Sequence, residues 1–242
     1  MRCGCGSRPE EDANDGGAIR PLAFLALLLA APAWAAPFGL PVGEVRLGFD
    51  LPPGFADSIP TGSPRLLDLA ESLTPATNRI LVFALSDGDM RRFNTGDAPE
   101  LKQYLLAVIP KALEQDRMSA AAFDRYVEEG RRGMGKPVEG QFAKALDARQ
   151  PGELVLLADL VREPDAMAVI RGLRLPPAEP GGLFSSAKPS QYVLSSTTVM
   201  LLRGKPLTLT LTSGYERQAD LEWLRATTLR WIEELRRLNV SR

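Results

Sequence analysis

Residues 192–239 read YVLSSTTVMLLRGKPLTLTLTSGYERQADLEWLRATTLRWIEELRRLN, and this stretch decides the fold. Its first part predicts a β-hairpin with a turn at 203–206. In the second arm three leucines alternate with three threonines, so the two residue types face opposite sides of a strand. The second part predicts a long amphipathic helix, because its apolar stripe recurs at steps of three and four. The stripe consists of Leu221, Leu224, Thr228, Trp231, Leu235 and Leu238. A hairpin and a helix that each have one apolar face predict a sheet covered by a helical layer.

The rest of the chain alternates between predicted strands and helices. Alternating or continuous apolar runs predict strands at 44–51, 79–85, 101–109, 153–161 and 166–175. The run at 101–109 also fits a helix, but Pro110 and its YLLAVI core favour a strand. Capping residues and apolar spacing predict helices at 63–73, 119–132 and 142–146. Polar segments predict loops at 86–100 and 176–182. The pattern indicates one α+β domain with a mostly antiparallel sheet flanked by helices.

The N-terminal segment predicts export. An apolar run at 22–31 is too short to span a bilayer comfortably and ends at a proline. Ala33-Trp34-Ala35 has the small-x-small pattern of a signal-peptidase site, so cleavage is expected between Ala35 and Ala36. Residues 1–35 would then be a signal peptide with an atypically long, acidic n-region, and 36–242 a periplasmic or secreted domain. The alternative is an uncleaved segment that tethers the protein to the membrane.

The composition excludes several kinds of site. The chain has no histidine, and its two cysteines, Cys3 and Cys5, lie in the predicted signal peptide. Ser-His-Asp and Cys-His catalytic sites are therefore impossible, as are metal sites that need imidazole. The signal peptide carries three of the 29 basic and four of the 30 acidic residues, so the mature chain has a formal charge of zero. A neutral exported chain without a basic stripe is a poor candidate for binding nucleic acid.

Two short motifs suggest chemistry but lack the context that the chemistry needs. Gly130–Lys136 matches the first part of a phosphate-binding P-loop, but a helix is predicted before it and Pro137 stands where a magnesium ligand is required. Ser185 and Lys188 form a Ser-x-x-Lys pair in which the lysine could activate the hydroxyl. The companion Ser-Asp-Asn and Lys-Thr-Gly triplets of penicillin-recognising enzymes do not occur in the sequence, and the proline after Lys188 favours a loop.

The polar segment after the strand at 79–85 is the best candidate for a ligand contact, because loops on rigid strands often carry binding residues. Its acids do not predict a metal site. An EF-hand that began at Asp87 would need glycine and glutamate where Arg92 and Ala98 stand. The candidate ligand-binding residues are Asp87, Asp89, Arg91, Arg92 and Phe93. Trp223, beside the helical stripe, is interpreted as core packing or, alternatively, as an exposed aromatic for a partner.

The order of elements resembles the α/β/α sandwich of the photosystem extrinsic protein PsbP and the bacterial lipoprotein DcrB. It is also similar to exported proteobacterial proteins with the same hairpin-and-helix ending. The resemblance rests on Val45–Phe55, with its PPGF turn, and on Val199–Asn239, with the Arg203-Gly204-Lys205 turn and the helix that begins ADLEWLR. It implies an antiparallel sheet flanked by helices and an accessory or binding role without chemistry. The lipid-bearing cysteine of DcrB is missing here, so lipid anchoring is not implied.

These observations together predict a non-catalytic accessory or binding domain of the bacterial cell envelope. It would recognise an envelope protein or a small ligand, and it would need no cofactor and no metal. Two alternatives stay open. One is an envelope hydrolase that uses carboxylates or the pair of Ser185 and Lys188. The other is a membrane-tethered interaction protein that retains its N-terminal segment.

Overall fold

The computed structural model describes residues 37–138, 142–176 and 191–240, and these residues form nine strands and five α-helices. In chain order the strands are β1 (Phe38–Val42), β2 (Val45–Phe49), β3 (Phe55–Asp57), β4 (Asn78–Ser86), β5 (Gln103–Pro110), β6 (Val155–Glu163), β7 (Ala166–Arg174), β8 (Tyr192–Leu202) and β9 (Lys205–Tyr215). The helices are α1 (Pro64–Ser72), α2 (Asp87–Asn94), α3 (Ala120–Arg132), α4 (Phe142–Asp147) and α5 (Gln218–Asn239). The predicted signal peptide and most of the predicted loop at 176–182 lie outside the described residues.

Seven of the strands form one sheet in the order β3-β4-β5-β9-β8-β7-β6, and every neighbouring pair in it is antiparallel. The hairpin predicted from the alternation of leucine and threonine is confirmed as β8 and β9, which occupy the middle of the sheet. Arg203 and Gly204 form the turn with φ values of +50° and +83°. Two consecutive left-handed residues match the twist of the flanking strands in a tight hairpin, and the glycine makes this conformation accessible.

The predicted C-terminal helix is confirmed as α5, which packs on one face of the sheet. Leu207, Leu209 and Leu211 of β9 are buried in the same core as the helix. The buried residues of α5 are Leu221, Leu224, Thr227, Thr228, Trp231, Ile232, Leu235 and Asn239. Thr228 adds a polar contact, because its Oγ1 lies 2.6 Å from the hydroxyl of Ser196 on β8. The even-numbered residues of β8 therefore face α5.

A second, two-stranded sheet of β1 and β2 packs beside the C-terminal end of α5. The side chain of Asn239 donates to Gly48 O at 2.8 Å and accepts from Gly48 N at 2.9 Å. A Cβ at Gly48 would lie 3.0 Å from the Cβ of Leu238, so the close approach of strand and helix favours glycine. The strand predicted at 44–51 is confirmed as β2. β1 was not predicted, because Gly39 and Pro41 interrupt its apolar pattern.

The opposite face of the seven-stranded sheet is covered by other helices. α1 and α2 pack over β3 to β5 around a second core of Leu66, Ala70, Phe83, Leu85 and Leu106. α3 contacts β8 and forms ion pairs with Asp159 and Arg162 of β6. Helices thus cover both faces, and the predicted α+β arrangement of a sheet between helical layers is confirmed. No helix in the described ranges has both the length and the apolar character needed to span a bilayer.

Several local predictions can be compared with these elements. Ser119 caps α3 as predicted, because its hydroxyl accepts the N–H of Ala122 at 3.2 Å. α1 begins at Pro64 as predicted, but the side chain of Ser63 makes no capping hydrogen bond. Gly130 lies inside α3. The segment 130–136 therefore starts in a helix and lacks the strand that a P-loop requires.

Candidate functional site

The candidate ligand residues at 87–93 lie on a helix, so the prediction of a loop at 86–100 is wrong for its first half. Ser86 caps α2, because its hydroxyl accepts the N–H of Asp89 at 3.1 Å. Acids in the first turn and arginines in the last turn both suit the helix dipole. The polar composition that indicated a loop instead reflects a short amphipathic helix with charged ends.

Asp89 is buried and links α2 to the segment before β5. One carboxylate oxygen accepts the backbone N–H of Glu100 at 2.7 Å, and the other lies 3.2 Å from the hydroxyl of Ser86. Only 4% of the residue is exposed. Buried carboxylates need such partners, because their desolvation is costly. Asp89 therefore positions the helix, and it also lines the groove described below.

The other candidate residues point in different directions. Phe93 is half-buried against the second core, and the guanidinium carbon of Arg65 lies 5.5 Å from the centre of its ring. Asp87 and Arg91 are exposed and do not line the groove. Arg92 does line it. Of the five predicted residues, only Asp89 and Arg92 are therefore brought together in one concave site.

That site is a polar groove of about 530 Å³ at one end of the seven-stranded sheet. Its walls come from α2 and from the N-terminal part of α5, and its floor comes from the segments at the start of β5 and the end of β9. We call it the α2–α5 groove. Its lining residues are Ser86, Gly88, Asp89, Arg92, Glu100, Lys102, Gln103, Ser213, Gly214, Glu216, Arg217 and Asp220. The antiparallel pairing of Gln103 with Ser213 brings these distant segments together.

The α2 side of the groove has two cations and one shared carboxylate. Glu100 lies 3.2 Å from the guanidinium of Arg92 and 2.9 Å from the Nζ of Lys102. The hydrogen bond from Lys102 lowers the pKa of Glu100, and the same bond raises the pKa of Lys102. The side chain of Lys102 is 59% exposed, whereas that of Glu100 is 24% exposed. The lysine is therefore presented to solvent while its carboxylate is partly covered.

The α5 side of the groove has one exposed cation beside a carboxylate that caps the helix. Asp220 turns back to cap the helix, and its Oδ2 accepts the N–H groups of Glu216 at 2.9 Å and Arg217 at 3.0 Å. The guanidinium of Arg217 lies 3.8 Å from Asp220, and its side chain is 80% exposed. Each wall therefore has an exposed cation at the rim. On the α2 side the carboxylate of Glu100 pairs with that cation, and on the α5 side the carboxylate of Asp220 caps the backbone.

The two serine hydroxyls of the groove take part in local hydrogen bonds. Ser86 is engaged in the cap of α2, and the hydroxyl of Ser213 donates to Gly214 O at 3.0 Å. No group of three or more acidic, histidine or cysteine side chains within the described ranges could hold a metal ion. Ser185 and Lys188 lie outside the described residues. The exposed cations Lys102 and Arg217 can attract and orient a polar ligand.

Trp223 lies close to this end of the molecule but packs inward. Its ring stacks on Phe55 with a centroid distance of 6.2 Å, and the side chain is packed against the main core. This favours the core-packing interpretation over an exposed aromatic for a partner.

The sequence matches no protein-family model and no curated protein. The function of the groove is therefore argued from its own residues. Glu100, Lys102, Arg217 and Asp220 were not among the predicted site residues. Their only sequence signal is their position at the ends of predicted elements. Strand pairing brings them together, and local sequence patterns do not predict that pairing.

Proposed function

We propose that the protein is an exported, non-catalytic binding domain of the bacterial cell envelope, and that its α2–α5 groove holds a polar ligand or a polar segment of a partner protein. The observation that carries the proposal is the pair of cationic rims. Lys102 and Arg217 extend into solvent, while Glu100 and Asp220 are held back by ion pairing and capping. Such a layout favours recognition of a charged group over proton transfer.

Export is the second part of the proposal, and it is supported by the apolar run and the cleavage pattern before Ala36. Expression of the full chain in a Gram-negative host, followed by fractionation and intact-mass measurement, tests it. We expect a soluble periplasmic species that begins at Ala36. A full-length species in the membrane fraction would instead favour the tethered alternative and would place the groove at a bilayer surface.

Binding by the groove is tested by crosslinking in intact envelopes. We expect the wild type and an Arg125→Glu variant on the exposed face of α3 to give the same crosslinked or co-purified species. A Lys102→Glu/Arg217→Glu double variant should lose it, because like charges replace both rims. If all three proteins capture the same species with equal yield, the groove is not the recognition site.

A further inference from the structure

A polar strip lies on the two central strands, on the sheet face opposite α5. Five hydroxyl-bearing residues of the two central strands form it, and we call it the hydroxyl strip: Ser195 and Thr197 of β8 and Thr208, Thr210 and Thr212 of β9. The register pairs Thr210 with Thr197 and Thr212 with Ser195, so these side chains share one face. A sheet face beneath helices is ordinarily apolar, as the leucines of β9 are on the other side.

Arg171 of β7 borders the hydroxyl strip. It pairs with Ser195 across the strands, and its Nη2 donates to the Thr197 hydroxyl at 2.9 Å. Its Nε is buried and has no hydrogen-bond partner among the residues that the structure describes. Burial lowers the pKa of this guanidinium. Within the described ranges no carboxylate forms a salt bridge with Arg171, whereas Arg131 pairs with Asp159 at 2.7 Å on the same face.

A partly buried guanidinium without an anionic partner is unfavourable in a folded protein, because the charge loses hydration and gains little in return. An anion beside it would offset that loss. Arginine suits an oxyanion, since its planar fork can donate two parallel hydrogen bonds to carboxylate or phosphate oxygens. Hydroxyl groups can rotate to donate to the same oxygens. Ser195, Thr208, Thr210 and Arg171 all keep part of their surface exposed, so a small ligand can reach the strip.

We propose that Arg171 and the adjacent hydroxyls of Ser195 and Thr197 form a binding site for the oxyanion group, carboxylate or phosphate, of a small ligand. None of these residues lines the α2–α5 groove. The protein thus carries a second recognition site on the opposite face from α5. The free guanidinium nitrogens supply the charge, and the hydroxyls supply additional donors.

Nuclear magnetic resonance titrations test this site with two simple probes. Inorganic phosphate and acetate are added separately at constant ionic strength, with chloride as the balancing anion, while the amides of Ser195 and Thr197 and the Arg171 Nε–H signal are followed. We expect saturable shifts with at least one probe. A response to phosphate alone assigns a phosphoryl ligand, and a response to acetate alone assigns a carboxylate.

Variants distinguish this site from general anion effects. Arg171→Gln should weaken the apparent affinity at least tenfold, and Thr197→Val about threefold. The matched control is Arg174→Gln. The Nε of Arg174 is likewise buried without a hydrogen-bond partner among the described residues, but Arg174 lies on the other face of the same strand, away from the hydroxyl strip, and its Nη2 donates to Arg149 O. It should leave the affinity unchanged. If Arg171→Gln does not fold, Arg171→Lys, which keeps the charge but loses the fork, should weaken the affinity as well. Unchanged affinity in Arg171→Gln or Arg171→Lys, or no saturable shift in the wild type, would overturn the proposal.

Discussion

Lys205 is almost completely buried, and it stabilises a loop instead of facing solvent. Its Nζ donates to the carbonyl oxygens of Glu114 and Asp116, both at 2.7 Å, and only 1% of the residue is exposed. Lysine is rarely buried unless its ammonium is well partnered. We expect Lys205→Met to lower the free energy of unfolding by about 3 kcal/mol or more, since two charge-assisted hydrogen bonds are lost and two carbonyls are left without partners.

Urea unfolding measures this effect, and Lys111→Met is its matched control. Lys111 also donates to a backbone carbonyl, that of Ala76 at 2.8 Å, but it is exposed. Water can replace that bond, so the control should lose no more than about 1 kcal/mol. Equal losses in the two variants would show that burial of Lys205 adds nothing to the stability of the loop.

The carboxyl group of Asp57 predicts a dependence of stability on pH. Burial raises its pKa above the ordinary 3.8, against the lowering effect of hydrogen bonds from backbone N–H groups such as that of Ile59. The folded state therefore binds the proton more tightly than the unfolded state. At a pH above its raised pKa, the ionised carboxylate lowers the free energy of unfolding. This cost disappears when the pH falls below the ordinary pKa of 3.8. Asp57→Asn should thus be more stable than the wild type at pH 7, with the difference shrinking towards pH 3.

Thermal unfolding at several pH values checks this expectation, with the exposed Asp97→Asn as control. The asparagine keeps an oxygen that can accept the Ile59 N–H, which Asp57 Oδ1 accepts at 3.1 Å in the wild type. Asp97→Asn should not reproduce the pH-dependent gain. A difference between Asp57→Asn and the wild type that does not change with pH would contradict the assignment to a buried carboxyl.

At the scale of single residues, the sequence could suggest which side chains matter but not what they contact. Asp89 was a reasonable ligand candidate, because acids after a buried strand are often exposed. It instead accepts the N–H of Glu100, eleven positions along the chain. The spacing of residues in the sequence does not indicate such a contact. The prediction for Phe93 does not hold for a similar reason, since Phe93 packs against a core that is assembled from α1, β4 and β5.

At the scale of elements, the docking of α5 onto the small sheet depends on Asn239. Its amide makes two hydrogen bonds to Gly48, and its Nδ2 also donates to Leu235 O at 2.8 Å. We expect Asn239→Ala to cost about 2–3 kcal/mol, since buried backbone groups of β2 lose their partner. Amide hydrogen exchange at Gly48 should accelerate, because its N–H is then released from its acceptor.

An exposed asparagine provides the control for this prediction. Asn94 ends α2 and is exposed. Asn94→Ala should change stability by less than about 0.5 kcal/mol and leave Gly48 exchange unchanged. If Asn239→Ala leaves Gly48 protected, the contact between β2 and α5 does not depend on the amide of Asn239.

Elements with a strong period were predictable from sequence, and elements without one were not. The alternation in β9 and the stripe of α5 identified the central hairpin and the helix that covers it. β1 was missed because a glycine and a proline break its pattern, and β3 because it has only three residues. An edge strand tolerates proline, since the missing N–H costs nothing on its outer side. Pairing with a neighbouring strand then stabilises a strand whose own sequence has little strand propensity.

At the scale of the whole molecule, the candidate site depends on strand order, which the sequence does not display. β5 and β9 are neighbours although about a hundred residues separate them, and this pairing places Lys102 beside the start of α5. The same order creates the hydroxyl strip, because the pairing of β8 with β9 aligns their hydroxyl residues on one face. The leucine–threonine alternation did predict a polar face for β9. Only the register of β7 with β8 shows that Arg171 lies beside these hydroxyl groups.

The two cores on opposite faces should unfold together, because β4 and β5 contribute to both. On β4, Phe83 belongs to the second core, while its neighbours Val82 and Ala84 belong to the first. Leu66→Ala on α1 removes a side chain that is 1% exposed, so we expect it to cost about 2–5 kcal/mol. The loss should appear equally in far-ultraviolet circular dichroism and in the fluorescence of Trp223 and Trp231 on α5, which covers the other face, as a single cooperative transition requires.

Urea titrations of the chain that begins at Ala36 measure both signals. Leu67→Ala is the control, because Leu67 is on the same helix but 36% exposed, and it should cost less than about 1 kcal/mol. Coincident midpoints in every variant mean that a ligand in the α2–α5 groove and an anion on the hydroxyl strip stabilise one shared folding unit. Suppose instead that Leu66→Ala shifts the circular dichroism midpoint but not the tryptophan midpoint. The α1–α2 layer would then open independently of α5, and the groove, whose walls come from both α2 and α5, would lose one wall before the sheet unfolds.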